Sequence, residues 1–331
     1  MGRLIRYTSE EKLEIIHLVE HSNTSIKRTL EELEIPRSTF YSWYQRYQEE
    51  GVEGLQGKRP KRKQFWNKIP EVVRDEIVGM ALEYPEEAPR QITYRFIEEK
   101  RYFISESSVY RILKGFDLIE SPAFEIITAK EKFENPTTRV NEMWQTDFTQ
   151  FLVQDWGWYY LSTVIDDYSR YIMAYWLSPT MNASDAEETL KLALSWAEIE
   201  QVKVYHRPRL LSDNGPAYHS KDLATFLTQW RMDHIHGAPY HPTTQGKIER
   251  WHRSMKSVVK LQNYYTPTEL RQAIASWVEY YNNERFHESL DNVTPADVYF
   301  DRRKEILKER NELKEMTLTL RRQQYYQLAG V

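Results

Sequence analysis

Residues 144–177 read WQTDFTQFLVQDWGWYYLSTVIDDYSRYIMAYWL, the stretch that decides how the C-terminal half of the chain folds. Three runs rich in β-branched and aromatic residues stand in it, separated by short turn-like breaks. Such runs are typical of β-strands. We therefore predict three antiparallel strands in a meander that begins at Trp144.

Downstream of the meander, helix and strand signals alternate. Ser184-x-x-Glu187 predicts the cap of a helix that ends near residue 199, and RPRLLSDNG (207–215) predicts a strand that ends in a turn. A helix over about 220–230, the short strand MDHIHGA and a long helix over about 245–262 follow. The order β-β-β-α-β-α-β-α is the ribonuclease H topology, so we predict an α/β ribonuclease H-like catalytic core over 141–300. Within it, Thr266-Pro267-x-Glu269 predicts a full capping box and a helix to about 284.

The N-terminal part of the chain has two groups of short helical segments. In the first group, Thr8 and Glu11 form a capping-box pattern before a helix over about 9–21. Two more helices are predicted, one over about 25–33 and one after Pro36 with Ser38 and Thr39 as N-cap candidates. The second group is predicted over about 70–83, 90–100 and 106–114. Short helices with tight connections favour all-α helix-turn-helix units, over 1–54 and 69–118, although a plain three-helix bundle has the same pattern.

Three segments connect or extend these units. Residues 55–68 carry six basic and no acidic side chains around a proline, which indicates a basic linker. Residues 119–140 contain two prolines and lack periodicity, which indicates a connector. Residues 301–331, with eight basic and five acidic side chains, are predicted to form a charged helical tail and are one candidate interface between subunits.

Composition narrows the functional classes. The chain has 331 residues, enough for two or more domains, and its net charge of −4 gives no general reason to expect a polyanionic partner. No cysteine is present, so disulfides, thiolate catalysis and cysteine-ligated zinc are excluded. No long apolar segment or signal peptide is visible, and we expect a cytoplasmic protein that does not enter a membrane.

Three carboxylates stand on three separate predicted elements: Asp147 in the first strand, Asp213 at the end of a later strand, and Glu249 on the long helix. Sixty-five residues separate the first two and 35 separate the last two. At 100° per residue, Glu249 lies far from an apolar stripe, expected to pack on the sheet, which comprises Ile248, Trp251, Met255, Val258 and Val259. Glu249 is therefore not expected to fill the core.

With this spacing, four motifs carry a resemblance to a known family: WQTDFT (144–149), STVIDDYSR (162–170), LLSDNGPAY (210–218) and PYHPTTQGKIERWHRSMK (239–256). Together they resemble the retroviral-integrase-like DDE transposases. The likeness covers about 140–300, and the N-terminal units look more loosely like those of transposases of bacterial insertion sequences.

The resemblance implies a DNA transposase that binds the terminal inverted repeats of a mobile element, cuts the strand and joins the new 3′-OH to target DNA. Asp147, Asp213 and Glu249 are implied to be the catalytic residues and the ligands of two Mg²⁺ or Mn²⁺ ions, with Asp147 bridging them. The expected partners are double-stranded DNA, from transposon ends and target, and further copies of the chain in a homo-oligomer on DNA. A bacterial, nucleoid-associated location follows.

DNA contacts are predicted at several places. The start of the third helix, the basic linker, the loop before the long helix and the basic face of that helix supply side chains that bond phosphates or base edges. These candidates are Arg37, Ser38, Thr39, Tyr41, Lys58, Arg59, Lys61, Arg62, Lys63, Tyr240, His241, Gln245, Arg253 and Lys256.

Other interpretations stay open. A DNA-binding regulator or inactive remnant would use the core only as a scaffold, and a ribonuclease H-type nuclease would cut without joining. Asp166 and Asp167 compete as metal ligands, but we expect them to be structural. His219, His241 and His252 lack the close spacing of a zinc motif, so zinc is not expected among them.

Overall fold

The computed structural model describes residues 7–22, 24–55, 65–119, 136–199, 207–237, 246–260 and 262–329. Its chain forms two compact units, Met1–Phe65 and Trp66–Val331. The predicted basic linker from 56 to 64, most of the connector and the loop 238–245 lie outside the described residues.

The first unit is a trio of helices, α1 (Ser9–Glu20), α2 (Ile26–Glu32) and α3 (Arg37–Glu50), followed by a 3₁₀ turn. The predicted capping box is confirmed, since Thr8 Oγ1 accepts from the Glu11 N–H and Glu11 Oε2 accepts from the Thr8 N–H. The trio encloses a core that includes Ile16, Leu30, Phe40 and Trp43.

The predicted cap of α3 is wrong. Pro36 is the N-cap residue, with φ −60° and ψ 134°, and no side chain caps this end. Because α3 already begins at Arg37, Ser38 and Thr39 lie inside its first turn and their hydroxyls cannot fill the N-cap position.

The second unit opens with another trio, α4 (Glu71–Glu83), α5 (Pro89–Lys100) and α6 (Glu106–Gly115), close to the predicted ranges. Its core includes Ile77, Ile92, Phe96, Val109 and Leu113. Contact with the rest of the unit runs through Gln91 of α5, whose side chain donates to the Phe286 carbonyl (2.8 Å) and accepts from the Phe286 N–H (2.9 Å).

A five-stranded sheet follows, made of β1 (Met143–Val153), β2 (Gly157–Asp166), β3 (Ile172–Ser178), β4 (Arg209–Ser212) and β5 (His234–His236). The strand order is β3-β2-β1-β4-β5; the first three strands are antiparallel, whereas β4 runs parallel to β1 and β5 parallel to β4. The meander and the ribonuclease H topology are thus confirmed.

Helices cover both faces of this sheet: α7 (Ala183–Trp196), α8 (Lys221–Gln229), α9 (Gly246–Val259), α10 (Pro267–Asn283) and α11 (Pro295–Tyr299). Successive strand residues point to opposite faces. Trp144 and Val164 therefore join α7 and α8 in one core, while Phe151, Leu161 and Ile165 join α9 and α10 in the other.

One predicted helix start and one predicted capping box need correction. The helix α7 begins after Asn182, not at Ser184, because the Asp185 carboxylate accepts from the Asn182 N–H (2.9 Å) and closes the first turn there. At α10, Thr266 Oγ1 accepts from the Glu269 N–H as predicted, but the Glu269 carboxylate accepts from the Tyr265 N–H, one residue further back. The second cap is therefore only half of the predicted box.

The last helix, α12 (Arg303–Ala329), is the predicted charged tail. One of its faces packs on the second trio: Leu313 joins that core, Thr317 Oγ1 accepts from the Phe103 N–H (3.1 Å), and Arg321 donates to the Tyr102 hydroxyl (2.7 Å). One face of α12 is therefore held against the second trio, and the other face of α12 is left for contact with another molecule.

Candidate active site

Asp147 lies in β1, and Asp213 directly follows β4, the strand that runs parallel to β1. The β1–β4 register pairs Gln145 with Leu211, and two further residues along each chain lead to Asp147 and Asp213. Neighbouring strands lie about 4.8 Å apart, and residues two apart share a face. The two carboxylates therefore sit level with each other, at the end of β4 and in the middle of β1, on the sheet face that α9 covers.

Asp147 is partly buried and has two partners. Its Oδ1 accepts from the Phe148 N–H (2.8 Å), and its Oδ2 lies 3.3 Å from His252 Nδ1 on α9. The Asp147 side chain keeps 20% of its surface exposed, against 7% for His252. The carboxylate is thus held in place from one side and open on the other.

Asp213 follows the last residue of β4 and is exposed. Its Oδ1 accepts from the Gly215 N–H at 2.9 Å, the same distance at which a Cβ on residue 215 would meet that oxygen. A side chain at position 215 would therefore displace the Asp213 carboxylate from this position. Desolvation raises the pKa of the Asp213 carboxyl, the Gly215 N–H opposes this, and the negative charge of Asp147 raises the pKa further. The two carboxylates thus interact electrostatically.

Glu249 lies in the first turn of α9, exposed and with no hydrogen-bond or ion-pair partner among the described residues. Two contacts fix α9 on the sheet: the Ile248 N–H donates to Gln145 Oε1 (3.2 Å), and His252 meets Asp147. Since Glu249 is three residues before His252, it lies about 60° from it around the helix. The apolar stripe of α9 is confirmed at four of its five positions, while Val258 is exposed.

The three carboxylates do not form one tight cluster. Within the described ranges, the only group of three whose ligand atoms all lie within 4.8 Å of one another is elsewhere, in α1. Two metal ions, each held by different carboxylates, do not require such a cluster, because the ions themselves are about 3.5–4 Å apart. A donor set made only of carboxylate oxygens suits Mg²⁺ or Mn²⁺.

Asp166 is the last residue of β2, Asp167 follows it, and both are buried. Asp166 accepts from the Asn141 and Ser169 N–H groups and from the Ser169 hydroxyl. Asp167 accepts from the Gln145 side chain (2.7 Å) and pairs with Lys247 (2.7 Å). The carboxylate oxygens of both aspartates are therefore engaged in hydrogen bonds and an ion pair within the chain.

Sequence reasoning missed the histidines around the carboxylates. His252 touches Asp147, and its buried Nε2 has no partner. His219 and His236 stack with centroids 4.4 Å apart, and their charges act on Asp213. His234 bonds the Ser212 hydroxyl (2.8 Å), and its pKa is lowered to about 4 by burial and by the other two imidazoles. The one available signal was that His252 follows Glu249 by three residues, which places both on one side of α9.

The predicted DNA contacts fall into three groups. Arg37, Ser38 and Tyr41 are exposed at the start of α3, and Thr39 beside them is half-buried. On α9, Arg253 is exposed and Lys256 half-buried; burial and Lys260 lower the pKa of Lys256, against the effect of Asp147. The remaining candidates lie outside the described residues: Lys58, Arg59, Lys61, Arg62, Lys63, Tyr240, His241 and Gln245.

Comparison with known families gives matches in both halves of the chain. Residues 137–242 and 227–295 each match an integrase core domain, residues 11–63 match a helix-turn-helix domain, and residues 39–113 match a homeodomain-like domain. No helix of the described ranges is long and apolar enough to cross a membrane.

Two relatives come from different kinds of mobile element. The Gag-Pro-Pol polyprotein of mouse mammary tumor virus is 33% identical over 134 residues, 39% of this chain and 7% of the polyprotein. The putative transposase InsK for insertion sequence element IS150 of Escherichia coli is 30% identical over 163 residues, 48% of this chain and 55% of the relative. This chain thus spans about half, or much less, of the relatives it matches. The resemblance to retroviral-integrase-like transposases of insertion sequences is confirmed.

Solved structures with a related core are more distant. The HTLV-2 integrase catalytic core domain in complex with magnesium is 19% identical, covers 49% of this chain and 97% of its own, and has a TM-score of 0.38. A chain of the simian T-cell lymphotropic virus intasome with the PP2A regulatory subunit B56 gamma is 18% identical, covers 64% and 74%, and has a TM-score of 0.44.

Proposed function

We propose that this chain, which carries an integrase core domain behind helix-turn-helix domains, is the DDE transposase of a bacterial insertion sequence. It would bind the terminal inverted repeats of its element, cut a strand at each end and join the new 3′-OH to target DNA. The observation that carries the proposal is the level placement of Asp147 and Asp213 on adjacent strands, beneath the helix that bears Glu249.

Metal ions are part of this proposal. Asp147 would serve both of two Mg²⁺ or Mn²⁺ ions, with Asp213 and Glu249 each completing one of them. The exposed oxygens and the electrostatic strain between Asp147 and Asp213 fit such a role, because a cation between like charges relieves their repulsion. When bound, the ions supply Lewis-acid stabilisation of charge on the attacking and leaving oxygens.

The reaction is phosphoryl transfer in two steps. A water oxygen attacks the phosphodiester at the element's end; a P–O bond forms as the bond to the 3′ oxygen breaks, which leaves a free 3′-OH. This 3′-OH then attacks a target phosphodiester in line and displaces the target's own 3′ oxygen. No covalent link between protein and DNA is required.

Side chains of this chain position the DNA for both steps. Lys256, half-buried on α9 and close enough to Asp147 to feel its charge, would hold a phosphate next to the reacting one, with Arg253 beside it. In the first unit, the exposed start of α3 would read the repeat, and the basic residues from Lys58 to Lys63 would follow the phosphate backbone. Holding two ends together requires a homo-oligomer on DNA.

The test is an assay with the flanking DNA of the encoding element. Labelled duplexes that end in its terminal repeats, a target plasmid and MgCl₂ are incubated with the full chain, and both 3′-OH release and joined products are resolved on gels. We expect cleavage and joining that depend on the repeat, while a shuffled duplex of equal length serves as control. Cleavage without joining would indicate a nuclease, and binding without cleavage a regulator; either result contradicts the proposal.

A further inference from the structure

A second cluster of ligand-type side chains lies on α1, far along the chain from the carboxylates discussed above. His17, Glu20 and His21 are all exposed, and one ligand atom from each lies within 4.8 Å of the other two. We propose that these three side chains form a site for a single Zn²⁺ ion on the surface of the first helical unit. The proposal is independent of the function proposed above.

The helix brings the three residues to one side. Positions 17 and 21 differ by one helical turn, about 40° around the axis, and Glu20 stands about 60° from His17 on the other side. Ile16 and Val19, by contrast, are buried in the core of the unit and fasten α1 to its neighbours. The candidate ligands therefore project from a helix whose backbone is held from behind.

The distances suit a tetrahedral ion after small rotations. His17 Nδ1 lies 3.6 Å from Glu20 Oε2. Zinc bonds of about 2.1 Å in tetrahedral geometry place ligand atoms about 3.4 Å apart. Because all three side chains are exposed, they can rotate to close the remaining gap without disturbing the core.

His21 also has the hydrogen bond that metal-bound histidines usually make. Its Nδ1 lies 2.8 Å from the His17 carbonyl oxygen, which can only accept, so Nδ1 carries the proton. In the neutral ring the lone pair is then on Nε2, the outward nitrogen. Such a bond to a backbone carbonyl fixes the tautomer and the ring orientation of a ligating histidine.

The chemistry of the donors selects the ion. Two imidazoles and one carboxylate are a typical zinc donor set, whereas Mg²⁺ and Ca²⁺ prefer oxygen ligands. Three protein ligands leave the fourth tetrahedral position to water. His17 also meets Tyr47 of α3 edge-on, with ring centroids 6.3 Å apart, so a bound ion would fix a side chain that touches the helix carrying Arg37 and Tyr41.

The experiment is a Zn²⁺ titration of the full chain against a chromogenic chelator, in excess MgCl₂. We expect one equivalent of Zn²⁺ to be lost, or its affinity to fall at least about tenfold, in the double variant His17→Gln with His21→Gln. Glu20→Gln should weaken the same equivalent to a smaller extent. The matched control is Glu31→Gln on α2, which should bind zinc as the parent does, and circular dichroism checks that each variant keeps its helices.

Separate variants distinguish this site from the core. Asp147→Asn and Asp213→Asn should leave the zinc equivalent in place. Unchanged stoichiometry and affinity in the double histidine variant would overturn the proposal. So would loss of zinc binding in either aspartate variant, because the ion would then belong to the core.

Discussion

The second unit has two groups of acidic side chains, on and beside its sheet, that differ in burial and in their hydrogen-bond partners. Asp166 and Asp167 are fully buried, and their oxygens accept from backbone, hydroxyl, amide and ammonium donors. Asp147 and Asp213 are partly open, and Glu249 has no partner among the described residues. Five carboxylates of the same fold thus divide into a buried, internally bonded pair and a more open triad with fewer partners.

The difference shows how to separate structural from functional acids. A buried carboxylate must be bonded internally, because desolvation without partners costs several kcal/mol. Burial and, to a smaller extent, the charge of Asp167 raise the pKa of Asp166 to about 6, although its hydrogen bonds to Ser169 and Asn141 act in the opposite direction. An open carboxylate beside another negative charge gains nothing for folding. In the function proposed above, a cation would complete such a carboxylate.

The largest expected effect is on catalysis. Asp147→Asn, Asp213→Asn or Glu249→Gln should lower cleavage and joining by at least about 10³-fold, since each removes charge that holds the ions. Thermal stability should not fall and should rise slightly in the first two, because repulsion between Asp147 and Asp213 disappears. Gel assays and melting curves measure the two quantities. If one of these variants still joined strands, the residue it changes would not be a functional carboxylate.

The opposite result is expected at the satisfied pair. Asp167→Ala removes the carboxylate that pairs with Lys247 and accepts from the Gln145 side chain; the side chains of Asp167 and Lys247 are 2% and 12% exposed. We expect unfolding in urea to show a loss of about 3–5 kcal/mol. Glu188→Ala, which breaks a surface pair with Lys191, is the control and should cost under about 1 kcal/mol. Equal losses in both variants would contradict the structural role of Asp167.

His252 offers a sharper test because it stands between the groups: buried like a structural residue, yet in contact with Asp147. His252→Ala should weaken Mn²⁺ binding to the DNA-free chain about 10–100-fold, as loss of a side chain that orients a ligand usually does. Calorimetric titration measures this, with Ser254→Ala on the same helix as control and His252→Gln expected to restore part of the affinity. Full Mn²⁺ affinity in the alanine variant would make His252 a packing residue only.

The smallest effect concerns a buried group remote from both clusters. Burial, with Arg285 and Arg170, lowers the pKa of His287 to about 3. Below pH about 6.5 the unfolded chain therefore binds a proton that the folded chain refuses, and stability falls as the pH falls, by about 1.4 kcal/mol per unit for this group. The slope of unfolding free energy against pH, measured from about pH 4 to about pH 6.5, should be shallower by the equivalent of one proton in His287→Leu. Parallel slopes would contradict this assignment.

Strand alternation and helix periodicity were enough to predict most of this fold. They give the meander, the order of elements, the face on which Asp147 lies and the outward position of Glu249. The starts of α3 and α7 were misplaced, because proline or a side chain one or two residues earlier completed the first turn. Neighbouring candidate N-caps differ in stability by only about tenths of a kcal/mol, and a sequence pattern does not reveal so small a difference.

Contacts between distant residues could not be predicted. No residue near His252 in the sequence indicates that its side chain contacts Asp147, over a hundred positions earlier. The same holds for the charged tail, which the sequence predicted as a helix and as one candidate interface between subunits. Its Leu313, Thr317 and Arg321 contact the second trio some two hundred positions away, a pairing that only the folded chain creates.

That fastening of α12 has a geometric consequence. The second trio is tied to the core from two sides, by the tail and by the bonds between Gln91 and Phe286. If α6 bound a duplex, that duplex would be held by the same unit that carries Asp147 and Asp213. The number of base pairs between the bound sequence and the cleaved bond would then be set by the protein itself. Variants that weaken the packing of α12 would make this number less uniform.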